Sequence, residues 1–116
     1  MSNHALSAIF SMDPARKTQL LEGLEPGVIK MVRELPGFVT GFWSWDHATN
    51  VTYGFVVFDT DAHARALETY LKTNADEIAK KGSRLERVAV AEVIGAASGN
   101  AANKIDDADL WKRIRS

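Results

Sequence analysis

From His4 to Ser11, Leu6, Ala8 and Phe10 share one parity, and Ser7, Ile9 and Ser11 the other, a period-2 pattern that predicts a strand. Asp13-Pro14 then offers a helix cap followed by a proline suited to the first helical position. Leu20, Leu21, Leu24, Val28, Met31, Val32 and Leu35 recur at helical spacing. Pro26-Gly27 interrupts this stripe, because proline cannot donate back to Glu22. Leu24, Val28, Met31 and Leu35 nevertheless stay in phase, so a kink or a short break with both pieces on one core is expected.

Leu35-Pro36-Gly37 ends that helix, and Phe38 to Asp46 reads as an aromatic-rich strand. Its parities are Phe38, Thr40, Phe42 and Ser44 against Val39, Gly41, Trp43 and Trp45. Turn residues 46–50 lead into a strand over Val51–Phe58, so the two should form a hairpin. Thr60 is the better cap for a second helix, which carries Ala64, Leu67, Leu71, Ala75 and Ile78 on one face and runs to about Lys81. Gly82 marks its end, Leu85 to Ile94 is a fourth strand, and 96–103 is a small, polar linker. Asp106 to Ile114 has acidic residues first and basic residues last, which predicts a short terminal helix with Leu110, Trp111 and Ile114 on one side.

Strand, helix, strand, strand, helix, strand is the split βαβ, ferredoxin-like order, an α+β domain with a four-stranded antiparallel sheet. The predicted organisation is one domain over residues 1–95 and a linker with a helical tail over 96–116. Two helices cover one face of such a sheet, yet both parities of the later strands are apolar. Val88, Val90 and Ile94 oppose Ala89, Ala91 and Val93, and Tyr53, Phe55 and Val57 oppose Gly54, Val56 and Phe58. A sheet apolar on both sides needs a second cover, so a homodimer packed sheet against sheet is expected, the alternative being that the terminal segment with Trp111 folds back over the open face.

Composition narrows the chemistry. The chain has 116 residues, 46% hydrophobic and 25% charged, the profile of an ordinary globular protein. Fourteen basic against fifteen acidic residues give a net charge of −1, which argues against nucleic acid or a membrane surface as partner. Met1 to Phe10 lacks the features of a signal peptide, and no run approaches the ~20 apolar residues of a membrane span, so a cytoplasmic location is expected. Cysteine is absent, which removes thiol nucleophiles and thiolate ligands. His4, His47 and His63 show no metal-ligand spacing, and no glycine-rich phosphate loop or nucleophile elbow is present, so no metal or cofactor is expected.

The runs Leu35-Pro36-Gly37-Phe38-Val39-Thr40-Gly41-Phe42 and Tyr53-Gly54-Phe55-Val56-Val57-Phe58, followed by a capped helix, resemble the dimeric α+β barrel superfamily. The resemblance covers roughly residues 4–95 and is closest in manner to its antibiotic-biosynthesis-monooxygenase-like group. It implies two ferredoxin-like subunits with their sheets packed into a barrel, and a small organic molecule bound between sheet and helices. Some members oxidise aromatic polyketides without metal or flavin, and others degrade haem. Monooxygenase-like members commonly have a tryptophan at the end of the third strand and a histidine in the following helix. Here Phe58 ends that strand and His63 follows five residues later. The haem-degrading members use an asparagine in the first strand, and His4 to Ser11 contains none.

The candidate residues follow from residue type. Glu92 shares a parity with Val88, Val90 and Ile94, where a carboxylate in a dry place would have a raised pKa and accept a proton; the bland reading places it where the strand meets water. His63 and Tyr70 flank the apolar stripe of the second helix and would reach toward a cavity between helix and sheet. Trp43 and Trp45 point the same way and would either stack on a planar ligand or fill an interface. Tyr53, on the neighbouring strand, would offer its hydroxyl to a substrate or to a backbone carbonyl. The expected function is a homodimer binding a small apolar or aromatic molecule. If catalytic, it would be a cofactor-independent monooxygenase-like enzyme in which His63 or Glu92 takes the proton and Trp43, Trp45, Tyr53 and Tyr70 hold the ring. The alternative is a non-catalytic binding or assembly module whose aromatics serve core and dimer packing.

Overall fold

The computed structural model describes residues 2–97. The expected terminal helix, and all but the first residues of the expected linker, lie outside them. Strands β1 (His4–Met12), β2 (Phe38–Asp46), β3 (Val51–Phe58) and β4 (Ser83–Glu92) form one sheet in the order β2-β3-β1-β4, every neighbouring pair antiparallel. This is the ferredoxin-like α+β arrangement, with β1 and β3 at the centre. The fourth strand begins two residues earlier than its apolar pattern predicts, because Gly82, with φ +109°, turns the chain straight into the ladder.

Asp13 caps the first helical segment, its carboxylate accepting the Ala15 N–H at 2.9 Å. The segment runs through a 3-10 turn (Pro14–Arg16), helix α1 (Lys17–Gly23), a π-helical stretch (Leu24–Ile29) and helix α2 (Lys30–Arg33). The expected interruption at Pro26-Gly27 is therefore a widening of the helix. Pro26 has no N–H for the Glu22 carbonyl, and the next turn closes five residues back, from Lys30 N–H to Glu25 O. The second helical segment is helix α3 (Asp61–Thr73), capped by Thr60, which accepts the His63 N–H at 3.1 Å. It breaks at Asn74, whose side chain donates to the Tyr70 carbonyl at 2.8 Å, and resumes as α4 (Ala75–Lys80).

The described helices lie on one face. Leu6 and Ala8 of β1, Val56 and Phe58 of β3, Val32 of α2, and Ala64 and Leu67 of α3 form the core, with Phe58 and Leu6 at 0% and 1% exposure. Two irregularities set which residues reach it. Between Phe38 and Thr40 the pairing with β3 skips Val39, so Phe38 turns to the helix side and meets Phe58 edge-on, ring centroids 6.4 Å apart. Between Leu85 and Arg87 the pairing with β1 skips Glu86, which keeps both Leu85 and Val88 against the core.

The opposite face of the sheet carries Ser7, Ser44, Tyr53, Phe55, Ala89 and Ala91, all exposed in the single chain. Tyr53 and Phe55 retain 46% and 43% of their accessible surface there.

Candidate functional site

The first helical segment is tied to the body at both ends. At its start the Arg16 guanidinium donates to the Lys80 carbonyl at 2.6 Å, closing the end of α4. The Lys17 ammonium stands 5.7 Å from the centroid of the Trp45 ring. Trp45 is itself held by its indole N–H, which donates to Asn50 Oδ1 at 3.2 Å across the hairpin turn. At the far end of the segment Val32 is buried in the core. Between these ties the π stretch bows away from the sheet, and Val28 stays 45% exposed.

Beneath the bow is a cavity of about 160 Å³. Its roof is Leu24, Val28 and Met31, its side wall Leu67, Leu71 and Ile78, and its floor the helix-facing residues of β1, β2 and β3. None of the lining side chains is ionisable; the polar groups are the hydroxyls of Thr52 and Ser83 and the indole N–H of Trp43. The Thr52 hydroxyl is already turned to Met12 Sδ at 3.4 Å. A dry 150 Å³ cavity lined by hydrocarbon holds a molecule of about the size of benzene, so this space suits one small ring.

Trp43 is the largest element of the floor, and Gly41 gives its ring room against β2. A Cβ placed on Gly41 would be 2.8 Å from its Cη2 atom, and one on Gly54, across the hairpin, 3.7 Å from Cδ1 and Nε1. The six-membered part of the indole therefore lies over the β2 backbone at Gly41, and its Cδ1–Nε1 edge comes within ordinary contact distance of Gly54.

Of the residues singled out in the sequence, Trp43 lines the cavity, and Trp45 lies on the same face but in the hairpin cluster, with His47 stacked on it. The others stand elsewhere in the single chain. Tyr53 pairs with Ser44 and faces away from the helices, because Trp43 pairs with Gly54 and the parity alternates. Tyr70 is exposed on α3, and Glu92 is exposed at the end of β4, opposite His4, instead of in a dry place.

His63 sits just past the end of β3 and does not line the cavity. There its Nδ1 donates to Asp59 Oδ1 at 2.6 Å. That bond, offset in part by desolvation and supported by the charge of the imidazole when protonated, holds the Asp59 carboxyl below the ordinary value of 3.8. The pair rests on Gly37, where φ is +79° and any Cβ would overlap the carboxylate and the imidazole. His4 Nε2 lies 3.9 Å from Asp61 Oδ1 nearby. No group of three or more His, Asp or Glu among the described residues is placed to hold a metal ion, and no described helix is long and apolar enough to cross a membrane.

The residues that sequence reasoning passed over are Met12, Met31, Thr52 and Gly54. Gly54 carried a usable signal, since glycine inside an apolar strand often marks a close approach by something else.

The fold has clear counterparts among solved structures. A monooxygenase from the ActVA-Orf6 gene of Streptomyces coelicolor, solved with nanaomycin D, superposes with a TM-score of 0.60 at 18% identity, over 85% of this chain and 94% of that one. A candidate antibiotic biosynthesis monooxygenase from Chloroflexus aurantiacus gives 0.59 at 16% identity, over 84% and 98%. A candidate monooxygenase from Shewanella loihica gives 0.58 at 15% identity, over 83% and 99%. No family model and no curated protein sequence matches the chain. The likeness establishes an α+β ferredoxin-like fold shared with antibiotic-biosynthesis-monooxygenase-like proteins.

Proposed function

We propose that this chain is a homodimeric α+β barrel protein that binds a small apolar or aromatic molecule in the cavity under the π stretch. The observation that carries the reading is the apolar cavity of about 160 Å³ with Trp43 in its floor. The dimer is supported by Tyr53 and Phe55, which leave large apolar surfaces on the sheet face that no described helix covers.

A cofactor-independent, monooxygenase-like activity is the enzymatic form of this reading, the Streptomyces counterpart being a monooxygenase. It is supported by the shared fold. The competing form, a non-catalytic binding or assembly module, is favoured by the lack of an ionisable side chain on the cavity wall, because proton removal needs an acceptor within reach.

The test is a titration of the full chain with acetophenone, ethylbenzene and 1-naphthol, followed by ¹H–¹⁵N spectra, with oxygen uptake recorded in parallel. Binding is expected to shift the Trp43 indole and the amides of Gly54 and Val56. Unchanged spectra at millimolar concentrations of all three compounds would remove the ligand-binding reading. Binding of 1-naphthol without oxygen uptake favours the non-catalytic form.

A further inference from the structure

Three glycines of the sheet and its approaches owe their lack of a side chain to different neighbours. Gly37 is left-handed and pressed against the Asp59–His63 pair. At Gly41 a Cβ would strike the Trp43 ring at 2.8 Å. Both positions need glycine for the chain's own packing.

Gly54 does not. Its φ is not left-handed, and a Cβ there would meet Trp43 Cδ1 and Nε1 at 3.7 Å and the Ala8 carbonyl at 4.0 Å, all ordinary contacts. It stands in the middle of β3, paired on both sides, where glycine weakens a strand and a β-branched residue would strengthen it. What its missing side chain leaves open is the cavity floor.

We infer that Gly54 is the specificity-determining position of the cavity, where a flat ring lies directly on the β3 backbone beside Trp43. The inference rests on the ligand-binding reading and adds the class of ligand. The Trp43 indole N–H donates to no described residue and lies at this spot, so the ring carries a hydrogen-bond acceptor that takes it. No charged group lines the cavity, so a buried anion or cation would go unpaired; the ligand is neutral. The ligand class is therefore a neutral, planar, single-ring compound with one exposed acceptor, such as an aryl ketone, in preference to an aliphatic chain or a carboxylate.

The experiment titrates the wild-type chain, Gly54→Ala and Gly54→Val with acetophenone and with ethylbenzene, its counterpart without the acceptor. The readouts are the Trp43 indole resonance, assigned with Trp43→Phe, and thermal melting. The wild type is expected to bind acetophenone with a downfield shift of the indole proton that ethylbenzene does not produce. Gly54→Val is expected to weaken acetophenone about tenfold or more, and Gly54→Ala by a smaller factor, through lost ring burial. Both variants should melt at or above the wild-type temperature.

Melting of Gly54→Ala well below wild type would show that the chain itself needs this glycine and would overturn the inference. So would wild-type affinity for acetophenone in Gly54→Val, while leaving the ligand-binding reading standing. Equal indole shifts from acetophenone and ethylbenzene would overturn the acceptor class. A wild-type chain that binds neither compound removes both the inference and the reading beneath it.

Discussion

Gly41→Ala tests whether Trp43 lies flat because β2 leaves it room. The added methyl would sit 2.8 Å from Trp43 Cη2, 3.0 Å from Cζ3 and 3.5 Å from Phe38 Cε1. The ring must move off β2 to relieve these contacts. Overpacking of this kind costs about 1–3 kcal/mol. Removing a glycine from a strand returns ~0.5–1 kcal/mol of backbone entropy. The difference is a net loss of up to roughly 2.5 kcal/mol, which at about 4 °C per kcal/mol for a domain of this size lowers Tm by up to roughly 10 °C.

The decisive assay is a double-mutant cycle with Trp43→Leu, read by urea unfolding and far-ultraviolet circular dichroism, because the substitution deletes a fluorophore. Leucine lacks the ring atoms that the methyl strikes, so Gly41→Ala should be neutral or stabilising in that background. The coupling between the two positions should be about 1–3 kcal/mol. Equal destabilisation in both backgrounds would refute the reasoning and assign the requirement for glycine to the backbone.

Two further outcomes are expected. The Asp59 carboxyl is held below 3.8, so its contribution to stability is fully present above that pH and is lost as pH falls through the lower folded value. Urea unfolding of wild type and Asp59→Asn should accordingly differ above about pH 5 and converge below 3.8; a gap that stays constant into acid would show that the His63 bond does not act through ionisation. Tyr53→Lys combined with Phe55→Glu, on the uncovered sheet face, should give a folded monomer of about half the wild-type mass by sedimentation, and an unchanged wild-type-like dimer would place the interface elsewhere.

Element order and type were legible because each depended on local chemistry. The alternation over Val51–Phe58, the Asp13 and Thr60 caps and the glycine after Lys81 act within a few residues of themselves. The two strand irregularities were not legible, because a skipped residue is decided by what the neighbouring strand offers. Strict alternation put Phe38 with Phe42, whereas the skip at Val39 turns Phe38 toward Phe58. The site was legible only through Trp43. Tyr53 sits on the adjacent strand but, by pairing with Ser44, faces the other side, and His63 is claimed by Asp59, four residues earlier. A cavity is a property of where a helix does not touch, and apolar spacing records only which side chains are oily.

The π stretch from Leu24 to Ile29 makes that absence of contact a matter of chain length. A π turn holds one residue more than an α turn, so deleting a single residue there would restore four-residue hydrogen bonding. It would also narrow the helix over the cavity while the turns on either side keep their facing, because the π stretch absorbs its extra residue locally. Leu24 and Val28 lie within that stretch, so the roof they form would be reshaped. The shape of the chamber thus depends on a count of residues in the helix above it, and a one-residue gap between two such chains would mark a change in that roof with the floor left intact.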